Sequence, residues 1–183
     1  MTNFPSQMTK VESYELPAGR YFVADPCFPI KSQDPWDSFC SELDNGDNAF
    51  CFEGSEVFAV QTGGDGCWSH EGETYSVEAG LLGAIPEELV DPESKNQGVW
   101  VDAPDGLEID VIHDNYGSFR GVRIGEVEVI WYEFDDESIA EFAYENEDYT
   151  VITTPELFAT LIDYIDNDQE VEAAARAALP QFA

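Results

Sequence analysis

The sequence predicts an α+β fold in which a twisted antiparallel sheet, or a partly open barrel, is packed against helices. Short apolar segments separated by glycine-containing turns fill residues 49–133, which is the pattern of a mainly β domain. Within this region, residues 107–112 and 126–132 alternate strictly between apolar and polar side chains, as strands do in an antiparallel sheet with one solvated face. Apolar residues of helical period lie on both sides of it. We therefore expect one helix in the N-terminal half and further helices at the C-terminus.

These patterns divide the 183 residues into three parts. We expect residues 1–13 to form a flexible N-terminus, residues 14–133 a mainly β core domain, and residues 134–183 an acidic helical extension packed on that core. A hydrophobic content of 43%, with 13% aromatic residues, is enough for a packed core, and it excludes a disordered acidic tail as a description of the whole chain.

The N-terminal half contains one strand and one helix in this interpretation. Residues 21–24 form a short apolar strand that ends at Asp25. The helix begins with Asp34 as its N-cap and Pro35 as its first residue, and it ends near Asn45. An apolar stripe with the i, i+3, i+4, i+7 spacing of a helix packed on a core consists of Trp36, Phe39, Cys40 and Leu43.

The other expected elements follow in chain order. Strands are predicted at residues 50–52, 57–60, 71–77, 81–85, 99–101, 107–112 and 126–132, with turns at residues 53–55 and 63–66. At the C-terminus, a helix begins with Thr154 as its N-cap and Pro155 at its first position, and a second helix covers about residues 169–179. The apolar stripe of the first of these helices consists of Leu157, Phe158, Leu161, Ile162 and Ile165. A helical turn is expected at residues 139–143.

Three short segments carry a resemblance to known proteins. They are residues 17–27 (PAGRYFVADPC), 64–68 (GDGCW) and 77–86 (VEAGLLGAIP). Through them, residues from about 17 to 132 resemble a family of small phage and bacterial proteins of unassigned function. The resemblance implies a shared fold and a phage origin, and it implies no activity and no catalytic residue. The acidic sequence after residue 133 lies outside it, so we expect that region to specialise this member.

Charge is the most unusual property of the chain. It has 39 Asp and Glu residues against 7 Lys and Arg residues, for a formal net charge of −32. No Lys or Arg occurs between Arg123 and Arg176, whereas sixteen acidic residues do, and we expect the acidic surface to be concentrated there. Because a net charge this far from zero destabilises the compact state by self-repulsion, we expect it to serve a purpose. Binding a strongly basic partner and surviving in concentrated salt are the two candidate purposes.

Few residues are candidates for catalysis. His113 and Asp114 could form half of an acid–base pair or of a metal site, and Cys67 with His70 could form a thiol–base pair, but no neighbouring motif completes either arrangement. Residues 63–66 are rich in glycine but lack the lysine and the following helix of a phosphate-binding loop. We therefore predict that the chain is not an enzyme and has no catalytic residue.

Metal ligands are equally sparse in the sequence. The acidic segments 44–48 and 163–172 do not match the spacing of the twelve-residue calcium loop. The four cysteines lack the close pairing of a zinc site, and with no secretion signal we expect free thiols; they are Cys27, Cys40, Cys51 and Cys67. We therefore predict no metal and no cofactor.

The spacing of the acidic residues favours a binding surface. Pairs two residues apart on a strand share one face and lie about 6.8 Å apart along it. The pairs with this spacing are Glu126 with Glu128, Glu108 with Asp110, and Glu71 with Glu73. A compact chain of this length is about 40 Å across, and duplex DNA of that length carries roughly two dozen phosphates. The net charge of −32 is of the same order.

We therefore predict a phage-type DNA-mimic inhibitor, which occupies the basic nucleic-acid-binding groove of a host defence protein such as a restriction complex. The chain resembles acidic anti-restriction proteins in charge and size, without a shared motif. Its carboxylates would stand in for phosphates, so it would bind the basic protein and not nucleic acid itself. The predicted phosphate-like residues are Glu126, Glu128, Asp135, Asp136, Glu137, Glu141, Glu145, Glu147, Asp148, Asp163, Asp166, Asp168, Glu170 and Glu172.

Two alternatives use the same charge. An acidic binder or immunity protein would cover another basic protein, such as a toxin. A salt-adapted cytoplasmic domain would spread its acids evenly, whereas we expect the base-free sequence at one end.

The sequence has no long apolar run and no apolar secretion signal, so we expect no membrane span and a cytoplasmic location, in the host cytoplasm if the protein is phage-encoded. A homodimer would lengthen the mimicked duplex.

Overall fold

The structure, a computed structural model, describes residues 8–114, 119–132 and 151–153. These residues form twelve strands, one α-helix and two short 3₁₀ helices, Glu87–Leu89 and Pro92–Ser94. The helix is α1 (Gln33–Asp44). In chain order the strands are β1 (Met8–Leu16), β2 (Gly19–Ala24), β3 (Ala49–Phe52), β4 (Ser55–Gln61), β5 (Gly66–His70), β6 (Glu73–Val77), β7 (Leu81–Pro86), β8 (Val99–Ala103), β9 (Leu107–Asp114), β10 (Phe119–Ile124), β11 (Val127–Tyr132) and β12 (Val151–Thr153).

The strands form two five-stranded antiparallel sheets and a separate hairpin. Sheet A has the strand order β1-β9-β10-β11-β12, sheet B has the order β3-β4-β7-β2-β8, and β5 pairs with β6. Side chains from both sheets form one core, which includes Val23 and Phe58 of sheet B with Ile109 and Val129 of sheet A. The described chain is therefore mostly antiparallel sheet with one helix. Two packed sheets take the place of the single sheet or barrel that we expected.

Sheet B is buried on both faces. One face contributes to the core shared with sheet A, and α1 covers the other, where Phe39 packs with Phe52 and Ile85. Strands covered on both sides are apolar along their whole length, because both sets of alternating side chains leave water. This explains the continuous apolar run of residues 57–60, all of which are buried. The apolar stripe of the predicted helix is confirmed, since Phe39 is fully buried and Trp36 packs against the same cluster.

Both N-terminal boundaries differ from the expected ones. β1 begins at Met8, so the expectation of a flexible terminus is wrong for residues 8–13; hydrogen bonds to β9 order a strand that its own polar sequence does not predict. α1 begins at Gln33 with Ser32 as N-cap, two residues before the expected cap at Asp34. Pro35 still lies in the first turn of α1. Backbone N–H groups have no helical partner there, so the proline removes no helical hydrogen bond.

Two of the β-hairpins have two-residue loops made of Glu followed by Gly. Glu53 and Gly54 join β3 to β4, with φ of 49° and 89°, and Glu71 and Gly72 join β5 to β6, with φ of 50° and 86°. Two-residue loops with positive φ at both positions match the right-handed twist of the flanking strands. Because Glu71 lies in a turn, the expectation that Glu71 and Glu73 share one face of a strand is wrong.

Asp25 fastens the end of β2 to the loop before β7. Its carboxylate is fully buried and accepts hydrogen bonds from the backbone N–H groups of Cys27, Glu78 and Ala79, at 3.0, 2.9 and 2.6 Å. A buried carboxylate is tolerated when hydrogen bonds replace its lost hydration. Asp25 therefore fixes the loop around Ala79, which lines a groove described below.

Four strands were not predicted, namely β1, β5, β10 and β12. β12 lies inside the segment 134–183 that was expected to be helical, and it pairs with β11 at the edge of sheet A. The predicted C-terminal helices at residues 154–165 and 169–179, and the helical turn at residues 139–143, lie outside the described residues. Within the described residues, no helix has the length and apolar character needed to cross a membrane.

Candidate partner-binding surfaces

The outer face of sheet A carries acids that are paired with bases. Lys10 Nζ lies 2.6 Å from Asp110 Oδ1, and Arg123 Nε lies 3.2 Å from Glu128 Oε1. Partial burial raises the pKa of Asp110, but hydrogen bonds from Lys10 and Ser13, together with nearby positive charge, outweigh burial and hold that pKa below its ordinary value. Glu128, a predicted phosphate-like residue, and Asp110, which was noted for its spacing from Glu108, are thus largely neutralised by their neighbours.

Arg20 in sheet B and Lys31 in a flanking loop also pair with acids. Ion pairs this exposed contribute only about 0–1 kcal/mol to stability, yet each one removes a positive charge from the surface that a partner meets. The field at that surface is then set by carboxylates that have no base beside them. The pairs join Arg20 to Glu87 and Asp102, and Lys31 to Asp91 and Glu93.

One set of carboxylates without such pairing lies along α1. Outside its buried stripe, the helix exposes Asp34, Asp37, Glu42 and Asp44, which we call the α1 acidic face. None of the four takes part in an ion pair among the residues that the structure describes. Asp34 and Asp37 are i, i+3 neighbours, a spacing at which like charges repel. Asp34 lies in the first turn, where the helix dipole favours a carboxylate, and Asp37 accepts a hydrogen bond from Gln33 Nε2. No ion pair in the described structure offsets the charge that the four carboxylates present to solvent.

A groove of about 380 Å³ lies beside this helix. Trp36 and Leu43 of α1 contribute apolar surface to it, the loops at residues 63–65 and 79–81 form its other side, and Asp44 and Asp65 supply carboxylates. Apolar walls with nearby carboxylates match a Lys or Arg side chain, whose stem is apolar and whose end is charged.

The environment of the thiol in this groove disfavours its reactive form. Burial raises the pKa of Cys40, and the negative charges of Asp44, Asp37 and Asp25 raise it further. Since the thiolate is the reactive form of cysteine, these surroundings lower the reactivity expected of Cys40. The groove is therefore better equipped for binding than for covalent chemistry.

Glu126 belongs to a second set of unpaired acids. It follows Gly125 in the turn between β10 and β11, so it precedes the strand on which we expected it. The backbone N–H of Gly125 donates to the carbonyl of Glu108, and Glu108 faces Glu15 across β1 and β9. Asp105 lies in the turn between β8 and β9, just before the strand that carries Glu108. We call the four acids the turn cluster, which consists of Glu15, Asp105, Glu108 and Glu126. All four are exposed, and no ion pair among the described residues includes them.

The acidic surface is not confined to the C-terminal third. The sequence has a second base-free span, from residue 32 to residue 94, which contains fifteen acids and includes the whole α1 acidic face. The expectation that base-free sequence lies at one end is therefore wrong. The interval between Lys31 and Lys95 is the sequence signal that should have identified α1 as a candidate surface.

The candidate pair of Cys67 and His70 is not brought together by the fold. Cys67 and His70 lie three residues apart on β5, and side chains at that spacing point to opposite faces of a strand. His113 and Asp114 are the last two residues of β9. All four cysteines are free thiols. In the described part of the chain, no group of three or more His, Cys, Asp or Glu residues could hold a metal ion.

Most of the predicted phosphate-like residues lie outside the described part of the chain. Only Glu126 and Glu128 are within it, and the structure does not bring them together on one open face. The others are Asp135, Asp136, Glu137, Glu141, Glu145, Glu147, Asp148, Asp163, Asp166, Asp168, Glu170 and Glu172.

Comparison with protein-family models, with curated proteins and with solved structures found no match. The resemblance of residues 17–132 to phage and bacterial proteins stays a prediction. What the chain does must therefore be argued from its own surfaces.

Proposed function

We propose that this chain is an inhibitor that mimics nucleic acid, and that it occupies the basic groove of a nucleic-acid-binding protein such as a host defence complex. The observation that carries the proposal is the α1 acidic face, four exposed carboxylates on one helix with no basic partner in the described structure. The four negative charges repel one another, and no ion pair in the described structure reduces that repulsion. A basic groove would relieve the repulsion, and release of its counterions would favour the complex.

The density of charge on α1 matches that of one nucleic-acid strand. A helix rises about 1.5 Å per residue, so Asp34 and Asp44 lie about 15 Å apart along the axis. One strand of B-form DNA carries a phosphate every 3.4 Å or so, and therefore about four over that length. The α1 acidic face carries four carboxylates. On the side of the helix that carries Asp34, Asp37 and Asp44, a groove shaped for phosphates would meet a comparable linear charge.

The groove beside α1 supports recognition of basic side chains. An Arg or Lys from the partner could place its aliphatic stem against Trp36 and Leu43, with its charge near Asp44 and Asp65. The carboxylates predicted in residues 135–172 would extend the same field, and a second copy of the chain would extend it further. Direct binding of nucleic acid is not expected, because the phosphates would meet a surface of the same sign.

The first alternative is a binder or immunity protein for a basic protein that does not bind nucleic acid, and the same physics supports it. The second is a salt-adapted domain. We had argued against salt adaptation because base-free sequence was expected at one end only. Since the chain has two base-free spans, that argument is weaker. A chain that unfolds below about 0.5 M salt and is stable above it, with no specific partner, would favour salt adaptation, because salt screens the self-repulsion.

The test is a pull-down from bacterial lysate with the tagged full chain as bait, washed in steps of increasing salt. We expect one nucleic-acid-binding complex at stoichiometric level, released by salt and displaced by duplex DNA added as competitor. A stoichiometric partner that duplex DNA does not displace would favour the other basic-protein binder. Scattered basic proteins, lost together at modest salt, would contradict specific inhibition.

Two variants of equal charge locate the surface. The quadruple variant D34N/D37N/E42Q/D44N removes the α1 acidic face, and E15Q/D105N/E108Q/E126Q removes the turn cluster. We expect capture to fail with the first and to persist with the second. If capture fails with the turn-cluster variant and persists with the α1 variant, the interface lies at the turn cluster. That result would still agree with mimicry of nucleic acid. A third variant, with four or more of the predicted acids in residues 135–172 changed to Asn or Gln, should also weaken capture.

A further inference from the structure

A cavity of about 530 Å³ lies between the strands of sheet A and the end of β4 in sheet B. Small-molecule sites in proteins are commonly of this size. Part of the lining is apolar and comes from Val11, Leu43, Val60 and Val111. The rest is polar and comes from Glu12, Asn48, Gln61, His113, Arg120 and Trp131. The cavity shares Leu43 and Gln61 with the groove beside α1, but none of the four acids of the α1 acidic face lines it. The inference from it does not depend on the proposed function.

The register of sheet A aligns three of the polar residues. His113 on β9 faces Arg120 on β10, and Arg120 faces Trp131 on β11. Residues directly opposite one another share a face, with Cβ atoms about 5 Å apart. Two residues away on the same face, Val111 and Val129 belong to the core. The row of nitrogen-bearing side chains therefore continues the core-facing side of the sheet, at the place where the apolar core gives way to the cavity.

Trp131 supplies a second and independent observation. Its side chain is fully buried and lines the cavity, and its indole Nε1 has no hydrogen-bond acceptor in the described structure. A buried indole N–H normally has a partner, because it loses its bond to water on folding. A ligand in the cavity could provide that acceptor. Trp68 Nε1 is also without an acceptor but is not among the cavity-lining residues, so it serves as an internal control.

The surrounding charges define the class of ligand. Arg120 is one of only 7 Lys and Arg residues in the chain, and a guanidinium matches the planar oxygens of a carboxylate. Glu12, which accepts a hydrogen bond from the Tyr14 hydroxyl, also lines the cavity and disfavours a second negative charge there. The apolar part of the lining accommodates a hydrocarbon chain. We propose that this cavity binds a small apolar monocarboxylate, whose carboxylate accepts from the Trp131 indole N–H and pairs with Arg120.

The test uses hexanoate as the probe and the indole N–H signals of the ¹⁵N-labelled full chain as the readout. The chain has 4 tryptophans, and the Trp131→Phe and Trp68→Phe variants assign the two signals that matter. We expect hexanoate to shift the Trp131 signal saturably at concentrations up to about 10 mM, with the Trp68 signal unmoved. Hexanol and hexylammonium, which lack the carboxylate, should shift it far less.

Two arginine variants complete the test. Arg120→Gln should weaken hexanoate binding by about tenfold or more, whereas Arg20→Gln, which removes an arginine outside the cavity, should leave it unchanged. If Arg120→Gln does not fold, the comparison of hexanoate with hexylammonium on the wild-type chain still shows whether the cavity prefers a carboxylate. An unmoved Trp131 signal, as expected if an interior water satisfies the N–H, would overturn the proposal. Equal shifts by all three probes, or equal movement of the Trp68 signal, would also overturn it.

Discussion

Arg123 on β10 and Glu128 on β11 are directly opposite each other, with 3.2 Å between Arg123 Nε and Glu128 Oε1. The Glu128 side chain is only 10% exposed, and that of Arg123 is 37% exposed. A carboxylate enclosed in this way neutralises a base of its own chain and adds little to the field outside. The acidic residues of this protein therefore fall into two groups, those that balance its few bases and those that a partner can meet.

The first prediction concerns Glu128. Replacement by Gln removes the carboxylate 3.2 Å from Arg123 Nε, with Asp110 still opposite Arg123 on β9, and we expect the free energy of unfolding to fall by about 1–2 kcal/mol. Glu126→Gln, in the exposed turn next to it, should change stability by less than about 0.5 kcal/mol. Urea denaturation measures both values. If both variants lose the same unfolding free energy, the ion pair between Arg123 and Glu128 contributes no more to stability than the exposed Glu126 does.

The second prediction concerns Asp25. Asp25→Ala removes the acceptor of three backbone N–H groups, and we expect a loss of about 3 kcal/mol in unfolding free energy. Asp25→Asn keeps an acceptor oxygen and should lose less. As a control, Asp91→Ala removes a side chain that caps the 3₁₀ helix Pro92–Ser94, for a loss of about 1 kcal/mol. A loss at Asp25 no larger than that at Asp91 would argue against its fastening role.

The third prediction is a pH dependence at Asp110. Because its pKa is below the ordinary value of 3.8 in the folded state, its contribution to stability is complete above that value and is lost as the pH falls through the lower, folded pKa. Asp110→Asn should therefore lose less stability than wild type on acidification below about pH 4. Lys10→Gln should reduce this acid dependence in the same direction. A double-mutant cycle should give a coupling of about 0.5–1 kcal/mol between the two residues, and zero coupling would contradict the assignment.

The fourth prediction concerns the order in which the thiols react. Burial raises the pKa of Cys27, and the adjacent Asp25 raises it further, so its reactive thiolate is scarce. Cys51 is exposed. With iodoacetamide at pH 8, we expect Cys51 to be alkylated first and Cys27 at least about tenfold more slowly. Mass spectrometry of timed digests gives the order, and unfolding in urea should remove the difference. Equal native rates would exclude the buried environment that we describe.

Local sequence patterns predicted the elements whose side chains are buried by regular packing. The run at residues 57–60 and the stripe of α1 were predictable because periodicity reports burial directly. β1 was not, because its order depends on pairing with β9, nearly a hundred residues away in the chain. The 3₁₀ helices and the Glu-Gly turns depend on individual φ angles, which glycine indicates only in part.

The candidate surfaces were less predictable than the fold. A count of charges treats Glu128, which lies beside Arg123, in the same way as an exposed carboxylate of α1. Which acids meet a base depends on the cross-strand register, and a count does not contain that information. The α1 acidic face itself left a signal in the base-free interval between Lys31 and Lys95. The cavity left almost none, since His113, Arg120 and Trp131 come together only through the antiparallel pairing of three strands.

The most direct measurement is the affinity of the captured partner for the wild-type chain and for the two quadruple variants, each at several salt concentrations. We predict that removing the α1 acidic face weakens binding by about tenfold or more and makes it less dependent on salt, because fewer counterions are released. Removing the turn cluster, with the same change in net charge, should leave both quantities close to those of wild type. Equal weakening by the two variants would mean that only total charge matters, and it would contradict a phosphate-like surface on α1.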